Sequence, residues 1–215
     1  MSELSFHKTH DLNELIQILS MDLKSVLKKN PRMVLSGGSV LKMVPGLIQS
    51  GCLPTGLKVY ELDERLVPPD HESSNQGQMQ KLFKKNAELV CFDVSLKHDE
   101  CAKEYAKKLP EETPMFHSVI LGAGPDGHIA SLFPGSDAIQ SKNLTEATVT
   151  DTFEIHERVT LAPEAILNSK RIDLILMGKS KSPLIPILLS ESETKENYPL
   201  LLLKEHKNLH VWYVD

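Results

Sequence analysis

Several features that mark protein classes are missing from this chain. Its three cysteines, Cys52, Cys91 and Cys101, are odd in number and widely spaced, with no CxxC pair. Neither a disulfide framework nor a zinc site is predicted, and a reducing compartment fits. No stretch approaches the roughly 18 apolar residues of a membrane span. The first residues, MSELSFHKTH, lack the apolar centre of a secretory signal. Neither sign of charge dominates: a net charge of -5 creates no field that would gather nucleic acid or an anionic membrane. A cytoplasmic protein without nucleic-acid or membrane partners is expected, and any anionic ligand must be held by a local cluster of cations.

Chemical signatures are missing too. There is no GxSxG, no HExxH and no GxxxxGK[ST], which removes the serine-elbow hydrolases, the zincins and the P-loop nucleotide enzymes. His98, His117, His206 and His210 show no metal-ligand spacing with acidic partners. What remains is attack by water assisted by a histidine, or proton movement by carboxylates.

The 215 residues, 40% hydrophobic and 25% charged, suit an ordinary globular protein, read as one domain over residues 1–215. Asp11 caps a helix whose apolar positions run from Leu12 to Leu27 at helical spacing, stopped by Asn30-Pro31. RMVL reads as a short buried strand, SVLKMVPGLIQ as a helix weakened or kinked at Pro45, and LKVYELD as a second strand. Ser74 precedes a helix through Phe83, LVCF is a weak strand, and a helix covers about 99–109. FHSVIL, FEIHERVTL, RIDLILMG and LHVWYV read as strands, with helices in PEAILNSK and KSPLIPILLS between them. The alternation predicts an α/β fold, a layered α/β/α arrangement with a mostly parallel, Rossmann-like sheet.

Ligands of such sheets collect at the carboxyl ends of the strands. Three polar loops follow predicted strands there. Ser36-Gly37-Gly38-Ser39 is either a phosphate cradle of backbone amides or a plain tight turn. Asp63-Glu64-Arg65, with His71 and Asn75 beyond, is either site chemistry or a solvated charged loop. Gly122-Ala-Gly124-Pro-Asp126-Gly127-His128 has dinucleotide-loop spacing, but Asp126 would repel a pyrophosphate, and Glu146 does not end a buried strand as the ribose-binding acid should. The other reading pairs Asp126 with His128, a carboxylate orienting an imidazole that takes a proton at neutral pH; a surface histidine capping IASLF is the plainer alternative. Arg158 and Lys181 are the cations a phosphate would need.

Taken together, LSGGSV, DERLVPPDHESSN, ILGAGPDGHIASLFPG, RVTLAPEAILNS, GKSK and HVWYVD resemble, in content and order, the glucosamine-6-phosphate isomerase/6-phosphogluconolactonase family, on its lactonase side. The likeness extends from about Leu35 to the C-terminus. In the family's deaminases an aromatic residue follows the Asp-Glu pair and an acid lies shortly beyond the Asp-Gly-His; here those places hold Arg65 and SLFP.

The resemblance implies hydrolysis of 6-phospho-D-glucono-1,5-lactone to 6-phospho-D-gluconate in the oxidative pentose phosphate pathway, with no metal or organic cofactor. The metabolic neighbours would be glucose-6-phosphate dehydrogenase and 6-phosphogluconate dehydrogenase. It makes His128 the general base and Asp126 its orienting partner. Gly37, Gly38 and Ser39, with Arg158 and Lys181, would hold the phosphate; Arg65, with Asp63 nearby, would face the ring, the carbonyl or the phosphate; Gly124 and Gly127 would shape the loop around the substrate. Lys179 is the alternative to Lys181. Val40 stands where many relatives have threonine, and YPLLLL places bulky leucines where relatives often have small residues. The rivals are a 6-phosphosugar deaminase or isomerase and a sugar-phosphate sensor without turnover.

Overall fold

The computed structural model describes residues 3–214; Met1, Ser2 and Asp215, included in the single-domain span, lie outside the described residues. Seven parallel strands form the central sheet in the order β1-β10-β9-β6-β2-β3-β5. They are β1 (Glu3–Thr9), β2 (Arg32–Leu35), β3 (Lys58–Glu61), β5 (Glu88–Val90), β6 (Ser118–Gly122), β9 (Ile172–Met177) and β10 (Asn208–Val214). A three-stranded antiparallel sheet stands apart, with β8 (Glu157–Leu161) between β4 (Asp63–Arg65) and β7 (Thr145–Val149).

Both faces of the central sheet are apolar, as a parallel sheet requires. Along β6, Val119 and Leu121 enter one core and Ile120 the other; along β2, Val34 parts in the same way from Met33 and Leu35. One core is closed by α1 (Leu12–Val26), α2 (Val44–Gln49) and α3 (Asn75–Phe83), through residues such as Leu19, Leu47 and Phe83. The other is closed by α4 (His98–Ala106), α5 (Pro163–Leu167) and α6 (Leu184–Leu189), through Tyr105, Ile166 and Leu188. This is the layered α/β/α arrangement expected from the alternation of elements. Cys52 and Cys101 are buried in these cores, and all three cysteines are free.

Five local readings need correction. ELSFHKT forms the edge strand β1, paired with β10; its polar and apolar residues alternate, so it lacks the apolar run of the inner strands. LKVYELD is two strands, parting at Leu62, which donates its N–H to Leu35 O and accepts from Leu161 N–H. That single residue hands the chain from the central sheet to the small one. FEIHERVTL becomes a strand only at Glu157. SVLKMVPGLIQ is a 3-10 segment, Gly38–Met43, followed by α2 with Pro45 in its first turn, where the missing N–H costs nothing. Likewise KSPLIPILLS starts on the last residue of a 3-10 turn, Lys179–Lys181, and only Leu184–Leu189 of it forms the short α6.

No helix among the described residues is long and apolar enough to cross a membrane. β2 and β6 are neighbours, yet the chain leaves β2 toward β3 on one side and β6 toward β9 on the other. The sheet's switch point therefore opens between their carboxyl ends, where such folds bind ligands.

Candidate active site

A cleft of about 270 Å³ lies at this switch point. Its two banks are stitched together by Ser36, whose N–H donates to Ile120 O at 3.1 Å and whose hydroxyl accepts from Gly122 N–H at 3.2 Å. Gly37, Gly38 and Ser39 line one bank, and Gly124 and His128 the other. Asp63, Arg65 and Arg158 arrive from the small sheet, and Lys181 from the turn after β9. Asp126 and Gly127 stand behind this lining, and Lys179 is not part of it.

Asp126 holds His128 by its Nδ1, at 2.6 Å from Oδ1, and also accepts the His128 backbone N–H at 3.3 Å. With Nδ1 occupied, Nε2 is the ring nitrogen left for a ligand. Burial pushes the Asp126 carboxyl up, but the bond to His128 and its charge outweigh that and leave it below the ordinary aspartate range. The carboxylate thus stays ionised beside the ring. Hydrogen bonds lock the loop: Gly127 N–H to Gly124 O, Gly124 N–H to His128 O, and Leu200 N–H to Gly127 O. Leu200 to Leu203 are buried, and Leu200, the first leucine of YPLLLL, packs against Gly127 of this loop.

Gly124 is required by close approach. A Cβ there would overlap imidazole Nδ1 and Cε1 and the Asp126 carboxylate, all held by the 2.6 Å bond and unable to yield without breaking it. Gly124→Ala is expected to part the pair and lower kcat by about 10² or more while the protein stays folded. Steady-state kinetics alongside circular dichroism checks this; a normal kcat would mean that the ring orientation is immaterial. Gly37 is needed for the same kind of reason, because a Cβ there would run into the amide of Asn75.

Glu64, fully buried, is not a ligand for the cleft. Its Oε1 accepts Arg65 N–H at 2.7 Å and Asn75 N–H at 2.9 Å, and its Oε2 accepts the Ser74 hydroxyl and Gln76 N–H, both at 2.8 Å. A carboxylate here satisfies the amino end of α3, whose N-cap is Ser74. Asp63 is likewise tied down, its Oδ2 accepting the Ser131 hydroxyl at 2.9 Å and its carbonyl accepting Asn75 Nδ2 at 2.8 Å. His71, in the same loop, accepts Ser73 N–H at Nδ1 and does not line the cleft.

The cations are less neutralised. Arg65 and Arg158 sit opposite each other in the β4–β8 register, and neither forms an ion pair among the described residues. Arg65 Nη1 donates to Ser73 O, and Arg158 Nε to Ile155 O at 2.9 Å. Burial, then the charge of Arg65, lowers the Arg158 pKa; burial lowers that of Lys181 against the opposing charge of Asp126. A buried Arg158 guanidinium beside the half-buried Arg65, each held only by a carbonyl, is costly unless an anion joins them. Such a place suits a phosphate.

Reasoning along the chain missed two aromatic walls. Phe133 lies within the ASLFP stretch and Phe153 in the segment taken for strand; both line the cleft and pack on the His128 ring, with centroids at 5.0 and 5.6 Å. No periodicity marks them, because loop geometry alone places them. Val40 is buried and packs toward Gly122, so the valine belongs to the core. No group of three or more His, Cys, Asp or Glu among the described residues is placed to hold a metal ion.

Comparison with known proteins shows the family and the fold. A family model described as glucosamine-6-phosphate isomerases/6-phosphogluconolactonase matches residues 10–212. The 6-phosphogluconolactonase of Homo sapiens is 30% identical over 198 residues, 84% of this chain and 76% of that protein. The crystal structure of a 6-phosphogluconolactonase from Shewanella baltica OS155 has a TM-score of 0.87 at 28% identity, covering 99% of this chain and 98% of that one. A monomeric glucosamine-6-phosphate deaminase shares the fold alone, with a TM-score of 0.80 at 23% identity and coverage of 98% and 97%. With the match running through every loop that builds the cleft, the chain belongs to the glucosamine-6-phosphate isomerase/6-phosphogluconolactonase family.

Proposed function

We propose that this chain hydrolyses 6-phospho-D-glucono-1,5-lactone to 6-phospho-D-gluconate, the reaction named for its lactonase relatives. One observation carries the reading: the Asp126-oriented imidazole shares a small cleft with Arg65, Arg158 and Lys181. The imidazole suits an activated water and the cations a phosphate, as the two ends of this substrate demand. His128 Nε2 takes a proton from water while the water oxygen attacks the lactone carbonyl carbon. The tetrahedral oxyanion is met by nearby cations or backbone donors. Its collapse breaks the bond to the ring oxygen, which leaves with the proton returned by the imidazolium.

Arg158 and Lys181, with the amides of Gly37, Gly38 and Ser39, hold the phosphate, and Arg65 strengthens the same positive field. Binding at that end sets the carbonyl against His128, so that remote binding energy serves orientation. The place beyond Asp-Gly-His where the deaminases carry an acid is filled here by SLFP, with the Phe133 ring against His128. That favours hydrolysis over deamination. The catalysis needs no metal or organic cofactor, and the enzyme works in the cytoplasm as one domain, between glucose-6-phosphate dehydrogenase and 6-phosphogluconate dehydrogenase in metabolism.

The test is hydrolysis of freshly generated lactone, with the spontaneous rate subtracted, beside ammonia release from glucosamine 6-phosphate. Acceleration of the first alone is expected. Ammonia release would make the chain a deaminase, and tight binding of 6-phosphogluconate without turnover a sensor. Arg158→Ala is expected to raise KM by about 10² or more, as loss of a charge-assisted anion contact does, with a smaller effect on kcat. An unchanged KM would move the phosphate elsewhere.

A further inference from the structure

Phe153 lies in the loop between β7 and β8, and the residue remains 38% exposed. A large apolar side chain held partly in water has a cost, so its contacts need accounting for. The Arg158 guanidinium carbon stands 5.3 Å from the centroid of its ring. His128 meets it edge-on, at 5.6 Å and an interplanar angle of 81°. Phe133, at 5.9 Å from Phe153 and 5.0 Å from His128, closes the triangle. One phenyl ring therefore touches both the cation and the base.

Arg158 needs such a support. Its Nε is fixed by Ile155 O, but neither terminal nitrogen has a carboxylate partner among the described residues. The aromatic face attracts the guanidinium without neutralising it, so the group is steadied yet keeps its terminal donors for an anion. A carboxylate in the same place would hold Arg158 equally well and compete with the phosphate. On the other side, the two phenyl rings pack on the imidazole, whose Nδ1 is already taken by Asp126.

We propose that Phe153 is a positioning residue that sets the phosphate-binding guanidinium and the imidazole base at one fixed relation, and so makes hydrolysis depend on the substrate's phosphate. This rests on the lactonase reading above. Binding at the phosphate end can assist the reaction at the other end only if the two are rigidly related, and Phe153 is the side chain that touches both. The advantage of a phosphorylated over an unphosphorylated lactone then depends on this ring as well as on Arg158.

The test compares kcat/KM for 6-phosphogluconolactone and for glucono-1,5-lactone in wild type, Phe153→Ala, Phe153→Leu and Phe153→Tyr, with a melting curve for each. Phe153→Ala and Phe153→Leu are expected to cut the phosphorylated substrate's advantage on the order of tenfold, and Phe153→Tyr to restore most of it, since it keeps the π face. Phe153→Leu is the informative variant, because it keeps apolar bulk and removes only the ring. An equal fall for both lactones, or wild-type discrimination in the leucine variant, would overturn the role given to Phe153 while leaving the lactonase reading intact. Wild type inactive on both lactones would instead remove the lactonase reading itself.

Discussion

Replacing His128 by alanine is expected to lower kcat for the phosphorylated lactone by about 10² to 10⁴, with KM changed little. The magnitude follows from geometry. Asp126 Oδ1 lies 2.6 Å from His128 Nδ1, which leaves Nε2 as the nitrogen that can take a proton from water. The ring is flanked by Phe133 and Phe153 and its side chain is only 18% exposed, so it is already oriented before substrate arrives. Alanine removes the base but leaves the arginines, the lysine and the glycine loop, so the substrate still binds. Asp126→Asn should cost less than His128→Ala, because it weakens the control of ring orientation and tautomer without deleting the acceptor nitrogen. The measurement is initial-rate kinetics corrected for spontaneous hydrolysis. If His128→Ala changed only KM, the base would have to be sought elsewhere in the cleft.

The second large effect concerns stability. Glu64→Leu strips the acceptor from the N–H groups of Arg65, Asn75 and Gln76 and from the Ser74 hydroxyl. Each buried donor left unpaired costs roughly 1–3 kcal/mol, and relaxation or an entering water recovers part of the sum. A net loss of about 3–5 kcal/mol is expected, as for other breaks in buried charged networks. That is a large share of the roughly 5–15 kcal/mol that holds a typical domain together. Glu64→Gln keeps one acceptor oxygen and should lose about half as much. Urea unfolding reads both, as a fall in midpoint at constant slope. A loss below about 1 kcal/mol for Glu64→Leu would mean that water replaces the carboxylate at the start of α3. The same network positions the backbone of Arg65, so the surviving folded fraction of Glu64→Leu should also show a raised KM.

These expectations show where a linear reading succeeds. The inner strands β2, β6 and β9 are short apolar runs, and they read correctly because a parallel sheet covered on both sides imposes one composition on every position. β1 and β7 are partly exposed and mixed in composition, so nothing local sets them apart from loops. β3 and β4 look like one strand because no glycine or proline interrupts the chain at Leu62. Only its bonds to Leu35 and Leu161, distant in sequence, reveal the change of sheet.

The candidate site divides in the same way. Asp126 and His128 are two residues apart, so their pairing is a matter of local backbone and could be read directly. The glycine loop was also legible as a polar loop after an apolar strand, whereas the Asp-Glu-Arg stretch, expected as a loop, is strand β4. That Glu64 serves α3 while Arg65 and Asp63 line the cleft was not legible, because three adjacent residues of a strand differ only in which face they present. Lys181 and Lys179 likewise differ only in which way a 3-10 turn points each side chain.

The sequence alone determined the layered α/β/α class, the glycine-rich loops after β2 and β6 and the Asp126–His128 pair. Each depends on periodicity or on contacts within a few residues. Tertiary structure alone decided that Arg65 and Arg158 stand side by side, that Glu64 is spent on a helix, and that Phe153 reaches both the cation and the base. Those relations join residues on separate elements, and their placement comes from how the two sheets pack, which no local pattern encodes.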